Sequence, residues 1–192
     1  MKRELNPEMA AWLDSQCRET AHAALISADA RACFLHAMIA CVGIREKGGN
    51  NRGRLVELIQ DTLGTADGEP WCMSLVQTCL AWAELRTGQT SPIAASEHCM
   101  TVYNDTPKEQ RVKTAPAPGA IIIWRHGAGP SGHTGITISA VKEGKFSAVE
   151  GNTESGLTAA GHVERDGGGC YETLRNVNGA GSMKVVGFLK PF

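Results

Sequence analysis

The chain has 192 residues, of which 42 % are apolar and 20 % are charged, and its formal net charge is −1. These values are typical of a soluble globular protein, and a chain of this length is expected to fold as one domain with a sizeable core. The nearly balanced charge argues against a nucleic-acid binder, which needs an excess of Lys and Arg to neutralise phosphates. No apolar run approaches the ~18 residues of a membrane-spanning helix, so no membrane insertion is expected.

The seven cysteines are odd in number and do not have the spacing of a disulfide framework. The first eight residues, from Met1 to Glu8, carry basic side chains but no apolar stretch of a signal peptide follows them. The sequence therefore predicts reduced thiols in a chain that is made in the cytoplasm without a signal peptide.

The amino-terminal half of the chain is predicted to be helical from the spacing of its apolar residues. The segment 28–43 is apolar on nearly all sides, so we expect that helix to be buried. Gly88 is a suitable residue to end the helix that begins at Cys72. The predicted helices cover 8–27, 28–43, 54–63, 72–86 and 94–104.

The carboxy-terminal half is predicted to form strands, separated by turns and by a glycine-rich loop over 153–169. The turn Lys142-Glu143-Gly144-Lys145 joins two of these strands into a hairpin. The predicted strands cover 120–124, 134–141, 145–151, 170–176 and 183–190. Because the helices precede the strands, the sequence predicts an α+β fold with N-terminal helices packed on a C-terminal antiparallel sheet.

Cys72 lies where a turn-rich segment, 64–70, gives way to a helix, so it is expected in the first helical turn. The free N–H groups and the positive dipole end of a helix stabilise a thiolate there. The backbone N–H of a residue at this position is also available to an oxyanion. The alternative is that Cys72 is a small buried apolar residue, as most free cysteines are.

The predicted hairpin brings polar residues from two strands together. With the turn centred on Glu143-Gly144, Thr137 is expected opposite Glu150, and Gly135 opposite Asn152. Side chains alternate between the two faces of a sheet, so this register places polar groups of both strands on one face. Gly135 would leave room on that face for the beginning of the Cys72 helix.

His133 shares that predicted face with Glu150 and Asn152. A cysteine nucleophile needs a base within hydrogen-bond distance and a third group that orients the base. Each residue also has an ordinary structural interpretation: a histidine bonded to a loop carbonyl, a solvated glutamate, and an asparagine in a turn. The combination favours catalysis more than any single residue does.

Five segments together resemble a known family. They are Pro70-Trp71-Cys72, Gly132-His133-Thr134-Gly135-Ile136, Glu150-Gly151-Asn152-Thr153, the loop 44–53 and Pro118-Gly119-Ala120-Ile121. In order and spacing they resemble the CHAP family of cysteine, histidine-dependent amidohydrolases/peptidases. The resemblance covers roughly 30–190, which leaves 1–29 as an N-terminal helical extension of a single catalytic domain.

The resemblance implies a papain-like fold and cleavage of amide bonds in bacterial peptidoglycan, an activity that many phage endolysins have. It implies that Cys72 is the nucleophile and His133 is the base. Glu150 would orient the imidazole, and Asn152 would assist from the same edge of the sheet.

The same resemblance suggests further residues at the substrate groove. Trp71, Trp124 and His126 are predicted to line it, and Glu46 and Asn51 are predicted to reach it. The alternatives are a core position for the two tryptophans and helix capping for Glu46 and Asn51. The aspartate-rich calcium segment of some CHAP domains has no counterpart here, so the sequence predicts no metal and no cofactor.

Several functions remain open at this point. A phage endolysin would reach the cell wall after release by a holin. An antibacterial effector would be delivered by a secretion system, with an immunity protein as a further partner. A cytosolic papain-like amidase would act on a small peptide conjugate instead. The bond that is cut is also open, because N-acetylmuramoyl-L-alanine amidases and peptide endopeptidases can share this chemistry.

Two alternatives lie outside catalysis. A structural metal site would use Cys72, Cys79, His98 and Cys99, although these residues form no C-x-x-C pair. A catalytically silent protein of the same fold would bind the cell wall without cleaving it.

Overall fold

The computed structural model describes residues 2–113, 117–154, 168–179 and 182–192. Within these ranges the chain forms six α-helices, a short 3₁₀ turn over Lys108–Gln110, and six β-strands. The helices are α1 (Pro7–Cys17), α2 (His22–Ile26), α3 (Ala30–Ala40), α4 (Arg54–Asp61), α5 (Cys72–Thr87) and α6 (Cys99–Asp105). The strands are β1 (Arg111–Val112), β2 (Ile121–His126), β3 (Gly132–Thr137), β4 (Lys145–Thr153), β5 (Gly169–Asn176) and β6 (Met183–Leu189).

The segment 8–27, predicted as one helix, forms two helices, α1 and α2, which are separated by turns over 18–21. The spacing does not reveal this break, because an interruption of about one helical turn leaves the apolar residues nearly in phase. Ala21 and Ala24 continue the buried side that Met9 begins in α1. No helix in the described part of the chain is long and apolar enough to cross a bilayer.

Helix α5 is the central helix of the protein. Every residue from Cys72 to Ala83 is buried, because α3 and α4 pack against α5 along with strands β3 and β4. Gly88 ends the helix with a left-handed φ of 71°, as predicted. By contrast, α3 is buried on one side only: Ile39 remains 43 % exposed, so the prediction of a helix buried all round is wrong.

The strands form one antiparallel sheet in the order β1-β6-β2-β3-β4-β5, which confirms the α+β prediction. The two-residue strand β1 was not predicted, since so short a segment has no recognisable alternation. The main core lies between the helices and one face of the sheet. A smaller apolar cluster covers the other face. Of the loop predicted over 153–169, residues 155–167 lie outside the described residues.

The register between β3 and β4 differs from the prediction by two residues. Thr137 lies opposite Ala148, and Ile136 lies opposite Val149, whereas Thr137 was expected opposite Glu150. Because side chains alternate with a period of two, a shift of two residues leaves His133 and Glu150 on their predicted shared face. Asn152 was predicted on the same face, but it lies at an irregularity of β4, where this alternation does not apply.

The turn of this hairpin is where it was predicted. Its ends pair across 142–145, and Glu143 and Gly144 both have positive φ, of 52° and 74°. Two residues further along β4, but four residues back along the β3 side, the N–H of Ile138 donates to the carbonyl of Ser147. The β3 side of the hairpin therefore holds more residues than the β4 side, and this local irregularity produces the two-residue shift.

The closest approach between helix α5 and the sheet is at Gly151, not at Gly135 as predicted. A Cβ atom on Gly151 would lie 2.6 Å from Leu75 Cδ2 and 2.9 Å from Trp71 Cζ3. A Cβ atom on Gly135 would instead lie 2.5 Å from Cγ of Glu150. Gly151 thus allows helix α5 to approach the sheet, and Gly135 leaves room for the Glu150 side chain on the opposite face.

Gly151→Ala is expected to lower the free energy of unfolding by about 1–3 kcal/mol, because the added methyl group has no space between β4 and α5. Gly168→Ala is the matched control, since a Cβ there would meet no atom of the described residues within 4 Å and no left-handed φ is required. Urea unfolding of both variants measures the difference. Equal stability of the two would contradict the close packing at Gly151.

Candidate active site

Cys72 is the first residue of helix α5, as predicted, and the preceding Trp71 provides no side-chain cap. The free N–H groups at this end of the helix therefore remain available to the thiol and to a ligand. The hydrogen bond with Cys99 is the largest influence on the Cys72 thiol and lowers its pKa. Burial raises the pKa, but His133 and the backbone N–H of Met73 lower it further, and the pKa lies well below its ordinary value.

His133 lies in strand β3 and is completely buried. Its ring stacks on Trp124 with the centroids 5.7 Å apart, and its Nε2 lies 3.0 Å from Oε2 of Glu150. Nδ1 has no hydrogen-bond partner of standard geometry in the described ranges, so it is the ring nitrogen left for Cys72. Burial lowers the pKa of His133, but Cys72 and Glu150 outweigh burial and raise it to about 9.

Glu150 lies in β4 and is also completely buried. Its carboxylate accepts hydrogen bonds from His133, from the Thr173 hydroxyl and from the Arg175 guanidinium. Burial raises the pKa of this carboxyl, but His133 and Arg175 lower it to about 2. Glu150 is therefore an anion at neutral pH despite its burial.

Glu150, His133 and Cys72 form a series of alternating charge, from the carboxylate through the imidazolium to the thiolate. A cysteine with a lowered pKa beside a histidine with a raised pKa favours the thiolate–imidazolium pair over the neutral pair. The Glu150 anion stabilises the imidazolium from the far side of the ring. This arrangement can perform nucleophilic attack and proton transfer at one point.

Asn152 lies beside the backbone segment that leads into Cys72. Its Oδ1 accepts a hydrogen bond from the Trp71 N–H at 3.1 Å, and its Nδ2 donates to Asn51 Oδ1 at 2.9 Å. Asn152 has a positive φ of 53°, at a register shift of β4 that redirects the strand end. Asn152 therefore supports the backbone that leads into Cys72.

Glu46 and Asn51 support the same backbone segment, which leads into Cys72. Glu46 accepts hydrogen bonds from the Trp71 indole N–H at 2.9 Å and from the backbone N–H of Asn51 at 2.8 Å. Glu46 and Asn152 thus hold Trp71 from two sides, and Asn51 links them to each other. This fixes the first turn of α5. Their predicted role in substrate binding is not what these contacts show.

The two tryptophans predicted to line the groove are fully buried. Trp71 packs against Gly151, and Trp124 packs against His133, so both contact the site from within the core. The core alternative is therefore the one that the structure bears out for Trp71 and Trp124. His126 is exposed at the end of β2, and its role in substrate binding stays a prediction.

A groove of about 100 Å³ opens at the Cys72 side chain. It contains one carboxylate, Glu97, which accepts a hydrogen bond from the Thr65 hydroxyl. The residues that line the groove are Pro70, Cys72, Glu97, His98, Cys99, Pro130, Ser131 and Gly132. The groove opens the otherwise buried thiol to the surface.

The sequence analysis did not assign three side chains of this site to catalysis. Cys99, at the start of α6, was considered only as a metal ligand, and nothing in the sequence links α6 to α5. Thr173 and Arg175 alternate on one face of β5, and β5 pairs with β4 so that Thr173 lies opposite Ala148. This spacing predicts that Thr173 and Arg175 share a face. Only the register between β4 and β5 shows that Glu150 lies on the same face.

The metal-site alternative is not supported. Cys79 lies two turns beyond Cys72 in α5, is fully buried, and has its sulfur 3.9 Å from that of Cys41. Over the described ranges, no group of three or more His, Cys, Asp or Glu side chains is arranged to hold a metal ion. All seven cysteines lie in these ranges, and none of them forms a disulfide.

A cysteine at the start of a central helix, beside a histidine on an antiparallel sheet, defines a papain-like α+β fold. Residues 64–152 match the family model of the CHAP domain. The segment includes Cys72, His133, Glu150 and Asn152. Searches of curated proteins and of solved structures found no match. A CHAP domain implies a hydrolase of the amidase or peptidase type that acts on peptidoglycan.

Cys99→Ala is expected to raise the pKa of Cys72, because the thiolate loses a hydrogen-bond donor. The pH dependence of Cys72 alkylation by iodoacetamide, followed by mass spectrometry of the Cys72 peptide, measures this change. Cys33→Ala is the control, since Cys33 is a buried thiol in α3. An unchanged inflection in Cys99→Ala would show that Cys99 does not stabilise the thiolate.

Proposed function

We propose that this protein cleaves an amide bond of peptidoglycan by nucleophilic catalysis, with Cys72 as the nucleophile. The observation that carries the proposal is the Cys72–His133–Glu150 series at the start of α5, which opens into a groove. The amide is the bond that an N-acetylmuramoyl-L-alanine amidase or a stem-peptide endopeptidase would cut.

In the first half of the reaction, the Cys72 thiolate attacks the amide carbonyl carbon. The carbonyl oxygen becomes an oxyanion, which the backbone N–H of Cys72 is placed to stabilise. The His133 imidazolium then donates its proton to the amide nitrogen, so the C–N bond breaks and the amine leaves. A thioester on Cys72 and a neutral His133 remain.

In the second half, neutral His133 accepts a proton from water as the water oxygen attacks the thioester carbonyl. The C–S bond then breaks, and the product acid leaves with the thiolate restored. Glu150 remains an anion throughout and stabilises the imidazolium at the start and the end of the cycle. The net reaction consumes one water molecule and yields one acid and one amine.

We propose further that the protein acts on the cell wall from inside a host cell, as a phage endolysin released by a holin. The implied peptidoglycan substrate supports this role. Expression together with a holin is expected to lyse the culture, whereas Cys72→Ala with the same holin is not. Lysis by neither protein, together with wall cleavage by the purified wild type, would assign the hydrolase to another role.

Purified peptidoglycan incubated with the protein tests the chemistry directly, with the fragments identified by mass spectrometry. Release of intact stem peptides with a free L-alanine amine would identify an amidase. A new amino terminus within the stem peptide would identify an endopeptidase. The absence of new fragments from walls of several peptidoglycan types would contradict the proposed substrate.

A further inference from the structure

The carboxylate of Glu150 accepts more hydrogen bonds from strand β5 than from His133. Arg175 donates to it twice, from Nε to Oε1 at 2.7 Å and from Nη2 to Oε2 at 2.8 Å. The Thr173 hydroxyl donates to Oε1 at 2.5 Å. A bidentate contact of this kind fixes the plane of the carboxylate as well as its position.

The same oxygen is shared between the guanidinium and the imidazole. Oε2 of Glu150 accepts from Arg175 and lies 3.0 Å from Nε2 of His133. Because the guanidinium is planar and rigid, it sets the direction in which Oε2 meets the ring. The orientation of His133 therefore depends on a residue that lies across the carboxylate from it.

Burial makes this arrangement costly unless the charges are paired. Arg175 is 5 % exposed, while Glu150 and His133 are fully buried. An isolated carboxylate in such a site would take up a proton, whereas a permanent guanidinium cation keeps it ionised. A protonated Glu150 would no longer stabilise the imidazolium.

We propose that Arg175 is a positioning residue of the active site, which holds Glu150 ionised and oriented so that Glu150 keeps His133 in its working position. The inference rests on the proposed role of Cys72 and His133. Strand β5 lies outside the matched segment 64–152, and the inference gives this strand a role in positioning the catalytic groups.

In the part of the chain that the structure describes, few other titratable groups face this series. The Cys170 thiol in β5 faces Glu150, but burial raises its pKa well above the ordinary value and keeps it neutral. Cys99 faces Cys72 from α6, and Glu97 and His98 lie in the same groove. None of these groups is changed in the variants below, so a change in pH dependence reports on the Arg175–Glu150 pair.

The test is the pH dependence of Cys72 alkylation by iodoacetamide in Arg175→Lys, read from the Cys72 peptide by mass spectrometry. A lysine keeps the charge but loses the bidentate geometry. The inflection for Cys72 is expected to rise by about one pH unit, which corresponds to a tenfold loss of thiolate below the inflection. Peptidoglycan turnover, where it is measured, is expected to fall about tenfold in kcat with little change in KM.

Arg3→Lys is the matched control. Arg3 forms another largely buried ion pair, with Glu84, through two contacts of 3.3 and 2.8 Å, and its side chain is 9 % exposed. This variant is expected to lose stability but to leave the Cys72 inflection unchanged. If Arg175→Lys also loses only stability, with an unchanged inflection, Arg175 is purely structural and the inference is wrong.

Thr173→Val provides a second test in case the Arg175→Lys variant does not fold. It removes one hydrogen bond to Glu150 while the ion pair stays intact, and a smaller upward shift of the Cys72 inflection is expected. An unchanged inflection in a folded Thr173→Val would count against the inference. Because alkylation needs no substrate, an ordinary thiol pKa in the wild type would contradict the proposed function itself, separately from any effect of Arg175.

Discussion

Cys72→Ala is expected to abolish hydrolysis of peptidoglycan, with kcat falling by roughly 10⁴-fold or more, because the sulfur atom that forms the thioester is removed. The fold should be retained, since the change removes a single sulfur atom from the edge of the groove. Cys72→Ser is expected to be nearly as inactive, because a hydroxyl at this position is not ionised by His133 at neutral pH. Release of fragments over time measures both variants.

Cys79→Ala is the matched control for this result. Cys79 lies in the same helix, but its sulfur packs against Cys41 in the core. Its removal is expected to cost about 1 kcal/mol of stability and to leave the activity of each folded molecule unchanged. Fragment release by Cys72→Ala at the wild-type rate would exclude the cysteine mechanism.

Glu150→Gln is expected to lower kcat by roughly 10²–10⁴-fold, because a neutral amide cannot stabilise the imidazolium or hold it as a carboxylate does. It also leaves the Arg175 guanidinium buried without its counter-charge. Breaking such a pair costs about 3–5 kcal/mol of stability at neutral pH. Kinetics and urea unfolding of the same preparation separate the two effects.

The stability loss in Glu150→Gln should itself depend on pH. The pKa of Glu150 is about 2 in the folded protein and 4.5 in its ordinary environment. A carboxyl with a lowered pKa stabilises the fold fully above its unfolded pKa, and the contribution disappears as the pH falls through the folded pKa. The difference in unfolding free energy between wild type and Glu150→Gln should therefore narrow between pH 4.5 and pH 2.

Glu8→Gln serves as the control for that measurement, because Glu8 pairs with Arg54 on the exposed surface. Little change in stability is expected at any pH. A constant stability difference for Glu150→Gln over the whole acidic range would show that the carboxylate is not held in its ionised form by its neighbours.

The hairpin shows how far the sequence analysis could predict the site. Alternation along β3 and β4 is a local property, so the shared face of His133 and Glu150 could be predicted from it. The opposing pairs could not, because the residues around Ile138 leave the regular ladder before the turn. A shift of one residue would have separated the two side chains, and the observed shift of two did not.

The different roles of Gly135 and Gly151, by contrast, could not be predicted from the sequence. Gly135 and Gly151 both lie where a side chain would collide, but with different neighbours. The sequence offers no means of distinguishing them, since the neighbours of Gly151 are Leu75 and Trp71, far away along the chain. The approach of helix α5 to the sheet is therefore a result of packing alone.

The sequence by itself determined the order of helices and strands, the place of Cys72 at the start of a helix, and the identity of the candidate triad. These follow from local spacing, turn chemistry and short motifs. Only the tertiary structure placed Cys99 beside Cys72 and Arg175 beside the Glu150 carboxylate, on the side away from His133. It also moved Trp71 and Trp124 from the groove into the core. Contacts of this kind join segments that are distant in the chain, and their geometry is set by the sheet register and by the packing of α5 and α6.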